Sequence, residues 1–116
     1  MKTITRISVV SICLLLLMSA QLLIKTQIVI TVRNELGNTE EGVKVQLYEN
    51  EEDYKAEKNV AFEGVTDKKG VVRFKDLKAI TYFLLARKDD KDNFGGGEQT
   101  GKLEEGRINK VTVIIQ

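Results

Sequence analysis

From about residue 25 onward the chain is a series of short runs in which apolar and polar positions alternate with a period of two, the repeat of a half-buried β-strand. Ile28, Ile30 and Val32 alternate with Gln27, Val29, Thr31 and Arg33, which predicts a first strand over about Lys25 to Arg33. Turn residues follow from Asn34 to Asn38, and then a second strand with Val43, Val45 and Leu47 on one face and Lys44, Gln46 and Tyr48 on the other. Asn50 stands ahead of Glu51, Glu52 and Asp53, an N-cap residue before an acidic first turn, so a short helical turn is expected within Asn50 to Lys58. Val60, Phe62 and Gly64 define a third strand that ends at Thr66, Asp67 to Gly70 a tight turn, and Val72 and Phe74 a fourth strand. Ile80 to Lys88 is a fifth, with Tyr82, Leu84 and Ala86 on one face and Phe83, Leu85 and Arg87 on the other. Asp89 to Arg107 reads mostly as loop with a short strand near Gln99 to Leu103, and Val111, Val113 and Ile115 mark the last strand. About seven strands and no helix of length predict an all-β fold, an antiparallel Greek-key β-sandwich.

The N-terminus has a different pattern. Lys2 and Arg6 precede an apolar run from Ile7 to Met18 that closes on Ser19 and Ala20, the layout of an export signal over residues 1–20. Residues 21–116 then form a single domain, and the protein is expected outside the cytoplasm, in the periplasm, the cell envelope or the extracellular space. Leu22, Leu23 and Ile24 prolong the apolar stretch, so a retained membrane anchor is the alternative, and the membrane is a partner only in that case. Cys13, the single cysteine, lies inside the run, preceded by Ile12 and followed by four leucines, and reads as one of its small apolar residues.

Composition narrows the function classes. The sequence contains no His, and without Cys13 the exported part has no thiol either, which removes the residues of most metal, thiol and general-base sites. No cofactor is expected, and the protein is read as a non-enzyme. Without Lys2 and Arg6, the positive and negative side chains nearly balance and alternate in sign along the chain, so no nucleic-acid partner is expected.

The stretch Gly42-Val43-Lys44-Val45-Gln46-Leu47-Tyr48, then Thr66-Asp67-Lys68-Lys69-Gly70 running on to Leu77, then Tyr82-Phe83-Leu84-Leu85-Ala86, resembles the carboxypeptidase regulatory-like domains. These belong with the prealbumin-like (transthyretin-like) and collagen-adhesin B-type sandwiches, and the resemblance covers most of residues 25–116. It implies fold more than function. The histidines that transthyretin-like hydrolases use on hydroxyisourate are missing here. The isopeptide bond of the collagen-adhesin type, between the first and last strands, would fall on Lys25 and Asn109, but no acid precedes Tyr82 in the pattern of that family.

Few residues invite a site. Asp90, Asp92 and Asn93 are weak calcium candidates: Gly95 stands at the sixth position counted from Asp90, but Gly101 occupies the twelfth, where a bidentate Glu is needed, so a solvated loop is the plainer reading. Gly95 to Gly97 lack a following Lys-Ser or Lys-Thr pair and read as a flexible turn rather than a phosphate loop. Tyr54 reads as a lone side chain in a charged loop. Val29, Phe83, Leu85 and Ile114 are apolar but out of phase with the core, and form a possible contact patch unless the Asn50–Lys58 segment or the Asp89–Arg107 loop folds over them. The expected role is a binding or structural module with an unknown protein or glycan partner; self-association through an unprotected final strand is the rival reading.

Overall fold

The computed structural model describes residues 24–116, which form two packed sheets. The expected signal over residues 1–20, the alternative anchor and Cys13 lie outside the described residues. In chain order the elements are β1 (Gln27–Asn34), β2 (Lys44–Tyr48), a helix α1 (Glu51–Ala56), β3 (Phe62–Val65), β4 (Val71–Lys75), β5 (Thr81–Lys88), β6 (Lys91–Asp92), β7 (Gln99–Lys102) and β8 (Ile108–Ile115). One sheet has the order β4-β1-β8; the other runs β3-β2-β5-β6, with β7 also paired to β5.

The period-two reading explains the interior. Ile28, Ile30 and Val32 of β1, Val72 and Phe74 of β4, and Val113 and Ile115 of β8 face Val45 and Leu47 of β2 and Tyr82, Leu84 and Ala86 of β5 in one buried cluster. Burial of each such aliphatic side chain contributes about 1.5–3 kcal/mol, enough in sum to hold a sandwich that has no disulfide. Between β3 and β4, Asp67 Oδ1 accepts from the amides of Lys69 and Val71 at 2.9 and 3.1 Å. Gly70 completes this turn at φ +74, where an added Cβ would lie 2.8 Å from Thr39 Cβ.

The sandwich stands as expected, with three differences. Pairing is not antiparallel throughout: β1 and β8 run parallel over their full length, Gln27 opposite Ile108 and Asn34 opposite Ile115. Both strands rise to the same end of the sandwich because the chain crosses to the other sheet between them. The Asp89–Arg107 stretch contains β6 as well as β7, which gives eight strands rather than about seven. Tyr48, on the face away from the main core as its spacing implies, is buried there all the same, and Tyr54 is not a lone loop side chain: both belong to a second small core with Leu85, against which Phe83 packs.

That second core is made by α1. Asn50 Oδ1 accepts from the Asp53 amide at 2.8 Å, the capping bond expected from the sequence, and three acidic residues occupy the first turn. At the other end Glu57 adopts the left-handed conformation at φ 51, and its amide reaches back to Asp53 and Tyr54. So short a helix is held by packing rather than propensity. Tyr54 stands edge-on to Tyr48 with ring centroids 5.9 Å apart and lies 5.7 Å from Phe83, and this closes the outer face of β5.

Candidate functional site

The most distinctive polar side chain in the domain is Asn93, which is fully buried. Its Oδ1 accepts from the Ala86 amide at 2.8 Å, and its Nδ2 donates to the carbonyls of Leu84 and Gly97, each at 2.8 Å. The carboxamide thus takes the place of a missing length of strand beside β5, between the β6 pairing and the turn into β7. The sequence places Asn93 on a solvated loop as a weak calcium candidate; in the structure its carboxamide is buried and bonded to backbone. Asp92 Oδ1 accepts from the Phe94 amide at 3.0 Å, and Asp90 is exposed on the preceding turn. Among the described residues no three His, Cys, Asp or Glu side chains converge as a metal group.

The three glycines that follow are not a free turn. Gly96 N–H donates to Asn93 O at 2.9 Å, and Gly96 O accepts from the Ile114 amide at 3.0 Å. Below this contact Asp92 and Gln116 exchange both backbone hydrogen bonds, at 2.9 and 3.3 Å. A Cβ on Gly96 would run into the Ile114 carbonyl, so the loop lies against β8 only because no side chain intervenes. Nothing in sequence spacing reveals such an approach between residues eighteen positions apart.

This loop covers the C-terminal part of an exposed sheet edge. β8 ends the three-stranded sheet, and its odd-numbered residues face β1 with their backbone groups, as the Gln27 N–H to Arg107 O bond at 2.9 Å sets the phase. The even-numbered residues therefore turn their N–H and C=O groups outward. Ile114 and Gln116 are met by the glycine loop and Asp92. Ile108, Lys110 and Thr112 are met by no strand among the described residues, and Ile108 is 51% exposed. Here the domain has an open edge of about three residue pairs.

The four out-of-phase apolar residues do not make one patch. Phe83 and Leu85 lie on the outer face of β5 under α1, where Leu85 is only 3% exposed. Val29 and Ile114 lie on the outer face of the other sheet: Val29 is half-buried between Lys110 and Arg73 in the ladder, and Ile114 is 43% exposed beside Arg33. Of the two segments the sequence offered as a cover, the Asn50–Lys58 one lies over Phe83 and Leu85. Its outer rim leaves a shallow cavity of about 210 Å³ lined by Tyr54, Lys55, Glu57, Leu85 and Phe94.

Among the titratable groups, burial first and then the hydrogen bond to Glu98 push the Tyr54 phenol well above its ordinary value, because both favour the neutral form. Burial likewise raises Tyr48. Hydrogen bonds from Asn34 and Lys88 hold the Glu40 carboxyl below its ordinary range, which ties the β1–β2 loop to the end of β5. These are structural pairings, and they converge on no common cleft.

Lys25 and Asn109 have separate partners. Lys25 Nζ pairs with Asp76 at 3.1 Å in solvent. Asn109 Nδ2 donates to the carbonyls of Gln27 and Glu104, both at 3.1 Å, and its Oδ1 accepts from the Glu104 amide at 2.8 Å. The side chain next to Asn109 across the ladder is Ile28, which has no amine.

No family model matches the chain, and no curated protein matches it. Among solved structures, it is similar to the TIE protein of Bacillus anthracis, at 21% identity and a TM-score of 0.56, over 79% of this chain and 17% of that one. A form of BcpA, the major pilin subunit of Bacillus cereus, matches 80% of this chain at 20% identity and a TM-score of 0.54, over 30% of its own length. The group B streptococcus pilus 2b backbone protein matches at 18% identity and a TM-score of 0.50, over 78% of this chain and 40% of that one. The chain thus spans well under half the length of each of these proteins and shares with them the fold of one β-sandwich domain.

Proposed function

We propose that this chain is an exported, non-enzymatic structural module of the cell envelope or surface that associates with its own kind, or with a similar protein, through the open part of the β8 edge. The observation that carries the reading is the run Ile108–Lys110–Thr112, whose outward backbone groups have no strand beside them among the described residues. An unprotected edge adds a strand readily, since each added residue pair supplies backbone hydrogen bonds with a fixed register. Pilus subunits among the structural neighbours support an assembling role, and the Thr66 to Gly70 turn supports kinship with the carboxypeptidase regulatory-like sandwiches. The apolar run before residue 20 supports export, with cleavage after Ala20 as the first reading and a retained anchor as the second.

Sedimentation velocity on the protein recovered from its host, over a hundredfold range of concentration, tests the association. We expect oligomers that grow with concentration and a Thr112→Pro variant that stays monomeric, because proline removes an outward N–H and leaves the β1 ladder untouched. A monomer at every concentration, or association indifferent to the proline, would overturn the reading. The intact mass of the same material reports export: a chain beginning at Gln21 supports it, and an uncut chain favours the anchor.

A further inference from the structure

The outer face of the three-stranded sheet has one sign of charge. Along β1 the outward positions are Gln27, Val29, Thr31 and Arg33; along β4, Val71, Arg73 and Lys75; and along β8, Ile108, Lys110, Thr112 and Ile114. Four of these are cations and none is a carboxylate. Register places Arg73 and Lys110 on either side of Val29, and Lys75 beside Gln27. Adjacent strands lie about 4.8 Å apart, so Arg73 and Lys110 stand about 10 Å apart at their roots, with Lys75 about 7 Å further along β4.

The turn before β4 extends this face. Asp67, Lys68, Lys69, Val71 and Arg73 line an open concavity of about 390 Å³. Its one carboxylate, Asp67, is bonded to the backbone amides of Lys69 and Val71. None of Lys68, Lys69, Arg73, Lys75 and Lys110 forms a salt bridge among the described residues, while seven other cations do. Five cations left unpaired along one sheet and its turn, in a chain of nearly balanced charge, form a localised positive field.

We infer that this face binds a flexible linear polyanion whose phosphate groups repeat along its backbone. A second copy of the chain is a poorer match, because Glu51, Glu57 and Glu63 are paired with Lys55, Arg87 and Lys44, and the exposed carboxylates without a salt bridge, such as Glu52 on α1 and Asp90 on the β5–β6 turn, stand on separate elements rather than in a row. Single-stranded nucleic acid would call for aromatic side chains on which bases stack, and the outward positions contain no Phe, Tyr or Trp. Arg73 supplies a planar fork suited to a phosphate, and the lysines act as point charges along the strand. Because the concavity beside these cations is open and they continue along β4 and β8, recognition is by charge spacing, and a long ligand engages several at once.

The inference is independent of edge association, and its test reads binding rather than oligomer size. The protein would be titrated with long-chain inorganic polyphosphate, with neutral dextran and with vesicles of mixed anionic and zwitterionic lipid. We expect polyphosphate to bind, dextran not to bind, and affinity to fall about 50-fold between 50 and 200 mM salt if four charges are neutralised. The double reversal Arg73→Glu with Lys110→Glu should weaken binding at least tenfold, and Lys58→Glu, on the segment after α1, should leave it unchanged. Circular dichroism of each variant shows whether the fold is kept; should the double variant unfold, Lys68→Glu with Lys69→Glu in the exposed turn tests the same face. Equal loss with Lys58→Glu, no effect of either reversal, or binding to vesicles but not to polyphosphate would overturn the proposal.

Discussion

The Tyr54 hydroxyl donates to Glu98 Oε1 at 2.9 Å, across a sequence separation of 44 residues, and so fastens the only helix among the described residues to the segment leading into β7. Burial first, and then this hydrogen bond, raise the folded-state pKa of Tyr54 above the ordinary 10.0, so the contribution of the neutral phenol to stability is fully present below pH 10. It is lost as pH rises through the folded value. Absorbance of the phenolate should therefore lag behind that of the urea-unfolded chain between about pH 10 and 11.5. Tyr54→Phe should shrink the lag and lower stability by about 1 kcal/mol, the net worth of one hydrogen bond. A lag unchanged by the substitution would detach Tyr54 from the effect.

Replacing Asn93 with Leu keeps the branching of the side chain, adds some bulk, and leaves the Ala86 N–H and the Leu84 carbonyl buried without partners. The expected loss is about 3 kcal/mol, at the upper range for a single polar deletion, since two interior groups are affected together. Urea unfolding of the variant beside the parent measures it. A loss below about 0.5 kcal/mol would mean that water replaces the carboxamide.

Gly96→Ala places a methyl group where the Ile114 carbonyl lies, so the loop must withdraw from β8. Hydrogen exchange at the Ile114 and Gln116 amides should then accelerate while β1 amides stay protected. With the open edge lengthened toward the C-terminus, the variant should also self-associate at lower concentration than the parent. Unchanged exchange at Ile114 would show that the loop does not guard the edge.

Lys25 and Asn109 should remain uncrosslinked, because the ammonium is paired with Asp76 and the carboxamide with backbone groups. Tryptic digestion should yield the segments containing them as separate peptides, a readout unaffected by cyclisation of an N-terminal Gln21. One joined peptide would refute the assignment of partners.

The sequence by itself determined the longer strands and their inner faces, though not the two-residue β6, because a period of two is a local property that burial on one side imposes residue by residue. Ile28, Ile30 and Val32, or Tyr82, Leu84 and Ala86, could be assigned inward without knowing what they meet. The capped turn at Asn50 and the tight turn ending in Gly70 were equally local, since each depends on hydrogen bonds or φ values within a few residues. Only the tertiary structure decided which strands are neighbours and which surfaces remain open. The parallel pairing of β1 with β8 joins residues 81 positions apart. The burial of Tyr48 depends on where α1 lands, and the role of Asn93 depends on a gap beside β5 that no spacing rule describes. The cationic face was hidden for the same reason: Arg73 and Lys110 alternate with other residues along separate strands, and only the ladder through Val29 sets them side by side.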